Sequence, residues 1–273
     1  MTQHRLLLLI PAYNEEHRIE PVLREYATHY TARLGDHFEM VVVLNGCRDN
    51  TLGVVQRVAE DHPCVRWMEF EAPIGKGGAL IEGLKLAPSA DLIGYVDADG
   101  ATHPKAFDAL MERMDDQDCV VASRWLPGAV LHQSQTGRRQ FASRVFHLIV
   151  QSLFWMNIRD TQCGAKVVKR AAVERIHSNL CIADMAFDIN LLYSLKRAGY
   201  SVLEVPTEWT DKLGSKVALG RTSLTMLLSV IRIRLIYSPF YKWMKPFKPL
   251  EIWLYTKLRA PRPLSGPAAR KTD

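Results

Sequence analysis

The chain has 273 residues, of which 48% are hydrophobic and 23% are charged. This composition is typical of a globular protein with one large α/β domain and a short appendage. The net charge of +6 is unevenly distributed: residues 212–273 contain 13 Lys and Arg and 2 Asp and Glu, so this segment carries +11 and the rest of the chain −5. Such a basic segment usually binds an anionic membrane surface or nucleic acid.

Cysteine usage and hydropathy bear on the compartment. The five cysteines form no CxxC pair and show no metal-ligand spacing, which favours reduced thiols in a cytoplasmic protein. The longest apolar run, residues 145–158, contains His147 and is shorter than the ~18 uncharged residues that a spanning helix needs. We therefore expect no transmembrane helix, and any membrane contact should be peripheral.

Apolar strand patterns alternate with helical patterns through the first 125 residues. Continuous apolar strands separated by helices indicate an α/β fold with a mostly parallel sheet covered on both faces. The strands are predicted at residues 6–10, 39–44, 65–71, 92–96 and 119–123, and the helices at 16–32, 51–61 and 78–86. Later come a basic loop at 126–144, a helix at 145–158, strands at 160–169 and 202–207, and a helix at 185–198.

Polar clusters follow the first four predicted strands. They are residues 11–15, 45–49, 75–78 and 97–99. Ligands of open α/β sheets bind beyond the carboxyl ends of the strands. The clusters therefore predict a single site at one edge of the sheet.

Asp97 and Asp99 end the fourth strand as an Asp-Ala-Asp motif. Where a strand turns, both carboxylates can reach one hard divalent cation that also takes diphosphate oxygens. Taken without its context, such a pair is more often a solvated turn. Its place directly after a buried strand favours the metal site.

The GKGG segment opens a helix and carries Lys76 and Gly77. Glycine lets backbone N–H groups approach phosphate or ribose closely, and a lysine adds charge at the helix N-terminus. A flexible turn with a solvated lysine is the alternative. The spacing is not that of a Walker A loop, which disfavours a mononucleotide hydrolase.

The first cluster contains Pro11, Tyr13 and Glu15. A tyrosine face can stack on a base, and a carboxylate can accept from base or ribose donors. The alternative is a helix start with Asn14 as its N-cap. The two interpretations are compatible.

The motif set resembles family 2 glycosyltransferases, and within them the polyprenyl- or dolichyl-phosphate β-glucosyltransferases, which are related to dolichyl-phosphate mannose synthases. The resemblance covers roughly residues 5–240. It implies a GT-A fold, a UDP-sugar donor (UDP-glucose), Mg²⁺ or Mn²⁺, and a polyprenyl phosphate acceptor. The motifs that carry it are PAYNE (11–15), GKGGA (75–79), DADGATHP (97–104), SRW (123–125), RDTQCGAKVVKR (159–170), MAFDINLL (185–192) and EWTDKLGSK (208–216).

The resemblance also implies roles for individual residues. The donor nucleotide would be held by Pro11, Tyr13, Glu15, Asn45, Lys76, Gly77, Asp97, Ala98 and Asp99, with Asp97 and Asp99 as metal ligands. The acceptor phosphate would contact Arg124, Arg138, Arg139, Ser143 and Lys216, and Lys216 with Ser215 would also cover the diphosphate. The catalytic residues would be Asp97, Asp99, Arg124 and Asp188.

Two positions depart from the family pattern. Where the family usually has two aspartates before Gly-Ser, this chain has Leu44, Asn45, Gly46 and Cys47. We expect the amide oxygen of Asn45 to accept a base N–H, which leaves the base identity open. Ala101 replaces a glutamine of the mannose synthases, which favours the glucosyltransferase branch.

An acceptor phosphate is anionic near neutral pH, so in-line displacement with inversion needs no strong base. Asp188 is expected near the sugar hydroxyls, or as a base if the acceptor is an alcohol. The alternative is a polar residue at the start of a core helix.

We expect a GT-A catalytic domain over residues 1–221, amphipathic membrane-interface helices over 222–245 and a weakly ordered, basic, proline-rich tail over 246–273. The helices would lie on the cytoplasmic face of a membrane, with Arg232, Arg234 and Lys242 beside the apolar residues. A helix pair packed on the body or in a dimer interface is the alternative. The expected apolar face is Leu224, Leu227, Leu228, Ile231 and Leu235.

Other functions remain open from the sequence. One is a family 2 transferase that uses GDP-mannose or another donor, or that acts on a non-lipid hydroxyl. Another is a nucleotide-binding or membrane-docking protein without turnover. Nucleic acid is not an expected partner, because the basic end lacks a sheet with interleaved aromatic platforms.

Overall fold

The computed structural model describes residues 4–132, 137–210, 219–238 and 241–257. The strands are β1 (Leu6–Ala12), β2 (Phe38–Asn45), β3 (Val65–Phe70), β4 (Leu92–Tyr95), β5 (Cys119–Ser123), β6 (Val130–Leu131), β7 (Lys166–Lys169), β8 (Val202–Pro206) and β9 (Glu208–Trp209). The helices are α1 (Ile19–Leu34), α2 (Thr51–Asp61), α3 (Lys76–Gly83), α4 (Pro104–Met111), α5 (Gly137–Phe154), α6 (Arg170–Ile176), α7 (Phe187–Arg197), α8 (Leu219–Ile236), α9 (Tyr241–Met244) and α10 (Lys248–Lys257).

Seven of the strands form one sheet in the order β3-β2-β1-β4-β7-β5-β8. All neighbours run parallel except β7, which is antiparallel to both β4 and β5. β6 and β9 form a separate two-stranded sheet. The predicted mostly parallel α/β fold is confirmed.

The sheet is buried on both faces because alternate side chains of each strand meet helices on opposite sides. In β1, Leu7 and Leu9 pack in the cluster that includes residues of α3, α7 and α8. Leu6, Leu8 and Ile10 pack in the cluster that includes residues of α1, α2 and α4. This two-sided core explains the continuous apolar run that predicts the strand.

Two predicted segments differ from the structure, and two helices were not predicted. Helix α5 begins at Gly137, inside the predicted loop at 126–144, because its first turns are rich in Arg and Gln, which favour helices without an apolar pattern. The tail predicted to be weakly ordered contains α10, and Pro249 lies in its first turn, where proline is tolerated. The short helices α4 and α6 were not predicted.

Helix α8 packs one face on the body and leaves another outside. Val230, Ile233 and Ile236 are buried in the core, whereas Leu224 is 47% and Ile231 is 42% exposed. Two residues of the predicted apolar face are thus exposed, and packing on the body, the alternative expected from the sequence, is present. Contact of this helix with a membrane stays a prediction. In the described part of the chain, no helix combines the length and apolar character needed to cross a membrane.

Candidate active site

The four predicted clusters meet at the carboxyl edge of the sheet because β1 lies between β2 and β4. Asn45 at the end of β2 reaches the segment before α3, where its Oδ1 accepts hydrogen bonds from the backbone N–H groups of Ile74 (2.7 Å) and Gly75 (3.1 Å). Lys76 at the start of α3 reaches the end of β4, with Nζ 2.6 Å from Oδ1 of Asp97. The four clusters therefore lie together at this edge, as the strand order requires, and their role as one binding site stays a prediction.

Asp97 and Asp99 both lie at this edge. Burial raises the pKa of Asp99, and the neighbouring charge of Asp97 raises it further. Two carboxylates that disfavour each other's charge are stabilised by a cation between them. The donor set therefore fits Mg²⁺ or Mn²⁺, which take oxygen ligands. No group of three acidic, His or Cys side chains able to bind a metal occurs among the described residues, so further ligands would come from the donor and water.

Gly164, to which the sequence alone assigned no separate role, lies against the carboxylate of Asp97. A Cβ atom built on Gly164 would collide with the carboxylate of Asp97. The loop before β7 can therefore lie against this carboxylate only because residue 164 has no side chain. The sequence signal for this close approach was the glycine at position 164, inside the RDTQCGAK motif.

Asp188 lies in the interior behind the Asp97 carboxylate, since it is only 1% exposed. Its Oδ1 accepts hydrogen bonds from the hydroxyl of Tyr95 (2.5 Å) and from Nζ of Lys166 (2.6 Å), and Lys166 also donates to the carbonyl of Cys163 (2.7 Å). Burial acts to raise the pKa of Asp188, but Lys166 and Lys76 outweigh it and the pKa is lowered. The expected contact with sugar hydroxyls is corrected: this carboxylate binds lysines.

Lys76 lies between two carboxylates. Its Nζ is 2.6 Å from Asp97 and 4.0 Å from Oδ2 of Asp188. Burial favours the neutral amine, but the charges of Asp97 and Asp188 outweigh it, so the pKa of Lys76 lies above its ordinary value. A permanently charged ammonium therefore faces the site where a diphosphate would lie.

The GKGG segment also makes contacts within the protein. The N–H of Gly78 donates to the carbonyl of Ala183 (3.1 Å). A Cβ atom on Gly77 would collide with the backbone of Ile182. Gly77 is therefore a packing position against the loop before α7, and its predicted contact with the donor stays a prediction.

Arg124 forms a buried ion pair that the sequence did not predict. Its Nε and Nη2 donate to the two carboxylate oxygens of Asp160 at 2.7 and 2.9 Å, and its backbone N–H donates to the same carboxylate at 3.0 Å. The guanidinium also stacks on the ring of Trp209, 5.0 Å from the centroid. The pair of guanidinium N–H groups that we expected to bind the acceptor phosphate thus donates to Asp160. A phosphate could accept only from the N–H groups of Arg124 that remain.

The Arg124–Asp160 pair predicts a change in the acid stability of the protein. Burial acts to raise the pKa of Asp160, but Arg124 outweighs it and the folded-state pKa is lowered. A lowered pKa contributes stability above the unfolded-state value of about 3.9, and this contribution is lost as pH falls through the folded-state pKa. We expect Asp160→Asn to lower the free energy of unfolding at pH 7 and to weaken its decline below pH ~4.

Urea unfolding at a series of pH values measures this change. Asp36→Asn, at an exposed position after α1, is the matched control and should keep the wild-type pH profile. Parallel profiles for the Asp160→Asn variant and the wild type would contradict the assignment.

The first cluster is partly engaged in contacts of its own. Both carboxylate oxygens of Glu15 accept hydrogen bonds from Arg18 at 2.7 Å. Burial and the charge of Asp97 raise the pKa of Asp99, and the charge of Arg18 opposes this shift, a role not predicted from the sequence. Tyr13 is exposed, as stacking on a base requires. Asn14 does not cap α1, which begins only at Ile19; its Oδ1 accepts from the N–H of Arg48 (2.8 Å).

The remaining predicted residues have varied positions. Pro11 is half-buried one residue before the end of β1, and Ala98 is buried between the two aspartates. The oxygen of Asn45, expected to accept from a base, already accepts two backbone N–H groups, so only its amide nitrogen could donate to a ligand. The predicted acceptor residues outside the described side chains are Arg138, Arg139 and Ser143, whose backbone belongs to α5, and Lys216, which lies outside the described residues altogether.

The chain is similar in sequence to known glycosyltransferases. The family model "Glycosyl transferase family 2" matches residues 8–177. The chain therefore belongs to glycosyltransferase family 2, and it is an enzyme that transfers glycosyl groups.

Relatives include dolichyl-phosphate beta-glucosyltransferases. The Homo sapiens protein is 30% identical over 251 residues, covering 85% of this chain and 76% of that protein. The Dictyostelium discoideum protein is 30% identical over 247 residues, covering 85% of this chain and 74% of the relative. Glycosyltransferase AglD of Haloferax volcanii is 31% identical over 228 residues, but the match spans only 36% of that longer protein.

Solved structures agree on the fold. Glucosyl-3-phosphoglycerate synthase from Mycobacterium tuberculosis, in complex with Mn²⁺, UDP-glucose and phosphoglyceric acid, matches with a TM-score of 0.65 at 20% identity, covering 85% of this chain and 80% of that one. Mannosyl-3-phosphoglycerate synthase from Rubrobacter xylanophilus matches with a TM-score of 0.63 at 16% identity, covering 85% and 74%. The chain has the GT-A fold, as predicted.

Proposed function

We propose that the chain transfers glucose from UDP-glucose to a polyprenyl phosphate, with inversion at the anomeric carbon. The observation that carries this proposal is the Asp97–Asp99 pair beside the Lys76 ammonium at the carboxyl edge of the sheet. The names of the relatives, dolichyl-phosphate beta-glucosyltransferases, support the sugar and the acceptor class.

The site would bind the donor by its diphosphate. Asp97 and Asp99 would hold Mg²⁺ or Mn²⁺, which when bound neutralises charge on the diphosphate. Lys76 and the first N–H groups of α3 would face the phosphate oxygens. Tyr13 would stack on the base, and Pro11 would line the same end of β1.

The charge state of Asp188 favours a phosphate acceptor over a hydroxyl. A carboxylate serves as a general base when its pKa lies near the working pH. Lys166 and Lys76 hold the pKa of Asp188 below its ordinary value, so it has little affinity for a proton. An acceptor that is already anionic needs no such base, and catalysis would depend on position and charge neutralisation.

The C-terminal helices offer a surface for the membrane that would contain this acceptor. Exposed apolar side chains lie on α8, α9 and α10 and on the turn between the last two: Leu224, Ile231, Trp243, Phe247, Leu250 and Trp253. The net charge of +11 over residues 212–273 would add attraction to anionic lipid headgroups. We propose that these helices hold the enzyme at the cytoplasmic face as a peripheral protein.

Flotation with anionic vesicles tests the membrane surface. Trp253→Glu should weaken vesicle binding about tenfold or more, because burying an apolar side chain contributes roughly 1.5–3 kcal/mol. The matched control is Trp67→Glu, since Trp67 is an exposed tryptophan on the edge strand β3. Equal flotation of both variants and the wild type at low salt would contradict the assigned surface.

A donor and acceptor screen tests the reaction. Radiolabelled UDP-glucose, UDP-sugars and GDP-mannose are each offered with a short polyprenyl phosphate, and label is followed into organic solvent. Extraction of label from UDP-glucose, with inverted anomeric configuration in the product, is the expected result.

A second candidate is transfer from GDP-mannose, or to a non-lipid hydroxyl. Asn45 in place of the usual aspartates leaves the base of the donor open. Label that extracts only from GDP-mannose, or that stays in water with a soluble acceptor, would replace the first proposal with this one.

A further inference from the structure

The ammonium of Lys76 occupies the position on Asp97 that a metal ion would need. Its Nζ lies 2.6 Å from Oδ1 of Asp97. The carboxylate is also closed on another side, because Gly164 lies against Oδ2 so closely that a Cβ atom there would collide with it. A cation that binds Oδ1 of Asp97 would therefore compete with Lys76 for that oxygen.

A second carboxylate is placed to receive the displaced ammonium. Oδ2 of Asp188 is 4.0 Å from Nζ of Lys76, while Oδ1 accepts from Tyr95 and Lys166. Lys166 is fully buried and is held by Asp188 and by the carbonyl of Cys163. Asp188 is thus a fixed anion, and Lys76 can exchange one carboxylate for the other by a small rotation of its side chain.

We propose that Lys76 is a mobile latch on the metal site, which pairs with Asp97 in the unloaded enzyme and moves towards Asp188 and the diphosphate when metal and donor bind together. Asp188 is then a positioning residue that acts through Lys76. The consequence is ordered binding: metal alone binds weakly, and the diphosphate that draws Lys76 away makes metal binding favourable. This inference rests on the proposed donor and metal.

Replacing Lys76 with methionine should strengthen the binding of Mn²⁺ alone and weaken the binding of UDP with Mn²⁺. Lys76→Met keeps the length of the side chain and removes its charge. If Lys76 occupies Asp97 for about nine-tenths of the time, its removal should tighten binding of Mn²⁺ alone about tenfold, because only the unlatched fraction of the wild type is competent. Binding of UDP in the presence of Mn²⁺ should weaken, because the ammonium no longer faces the diphosphate.

The experiment follows the electron paramagnetic resonance signal of free Mn²⁺ during titration of the full chain, with and without UDP. Lys85→Met, at an exposed lysine paired with Glu82, is the matched control and should bind Mn²⁺ like the wild type. Asp188→Asn should weaken binding of Mn²⁺ alone in the wild-type background and have no effect in the Lys76→Met background. If Asp188 acts only by positioning Lys76, its effect on Mn²⁺ binding disappears when Lys76 is absent. If it acts through the negative charge of the site in general, the effect remains.

The outcomes are distinct. If Lys76→Met binds Mn²⁺ alone no more tightly than the wild type, the latch is refuted while the proposed function stands. If the wild type binds no Mn²⁺ even with UDP, both the latch and the proposed metal site are refuted. Thermal unfolding checks each variant, and the Lys76→Met result decides the matter if Asp188→Asn does not fold.

Discussion

Replacing Asp99 with alanine is expected to reduce sugar transfer a hundredfold or more. The carboxylate of Asp99 lies beside Asp97, just after β4. Without it, the proposed metal ion would lose a ligand, and the nucleotide diphosphate would leave with its charge uncompensated. Loss of one preorganised electrostatic partner typically costs ~2.7–4 kcal/mol of transition-state stabilisation. Initial rates with saturating donor and acceptor measure the effect.

Asp36→Ala removes an exposed aspartate just before β2, at the opposite end of that strand from Asn45, and should leave the rate unchanged. Addition of excess EDTA should reproduce the loss in the wild type. Near-normal turnover of the Asp99→Ala variant, or full activity in EDTA, would rule out the proposed metal role.

The second large effect is on stability. Lys166→Met leaves the carboxylate of Asp188 in the interior without its 2.6 Å partner. Breaking a buried ion pair by removing one member costs about 3–5 kcal/mol. The remaining carboxylate would keep only the hydroxyl of Tyr95 and the more distant ammonium of Lys76, at 4.0 Å. We expect the free energy of unfolding, measured by urea denaturation at pH 7, to fall by about this amount.

The double variant Lys166→Met/Asp188→Asn should recover part of the loss, since it removes the uncompensated charge as well. Lys105→Met, at an exposed lysine on α4, is the control and should change the unfolding free energy little. Equal stability of the Lys166→Met variant and the wild type would show that the pair contributes nothing to the fold.

The fold and the location of the site were predictable from local patterns. Helix α2 and strand β5 have the predicted bounds, and the Asp97–Asp99 and GKGG motifs lie at the predicted edge of the sheet. The physical reason is that apolar periodicity reports burial on the faces of a sheet. Parallel strands also bring their carboxyl ends to one side, so motifs that are distant in the chain become neighbours.

The partners of the polar side chains could not be predicted in the same way. Arg124 and Asp160 are 36 positions apart, and Lys166 and Asp188 are 22 apart, and no local pattern specifies such pairs. The antiparallel strand β7 brings Lys166 towards Asp188 and sets Gly164 against Asp97.

The sequence by itself therefore determined the mostly parallel sheet and the grouping of its polar motifs at one edge. Only the tertiary structure decided which of those polar groups bind each other and which stay exposed. Burial makes this distinction, because a buried charge must find a partner within the protein, whereas an exposed charge remains available to a ligand. Arg124 and Asp188 belong to the first kind, and Tyr13 to the second.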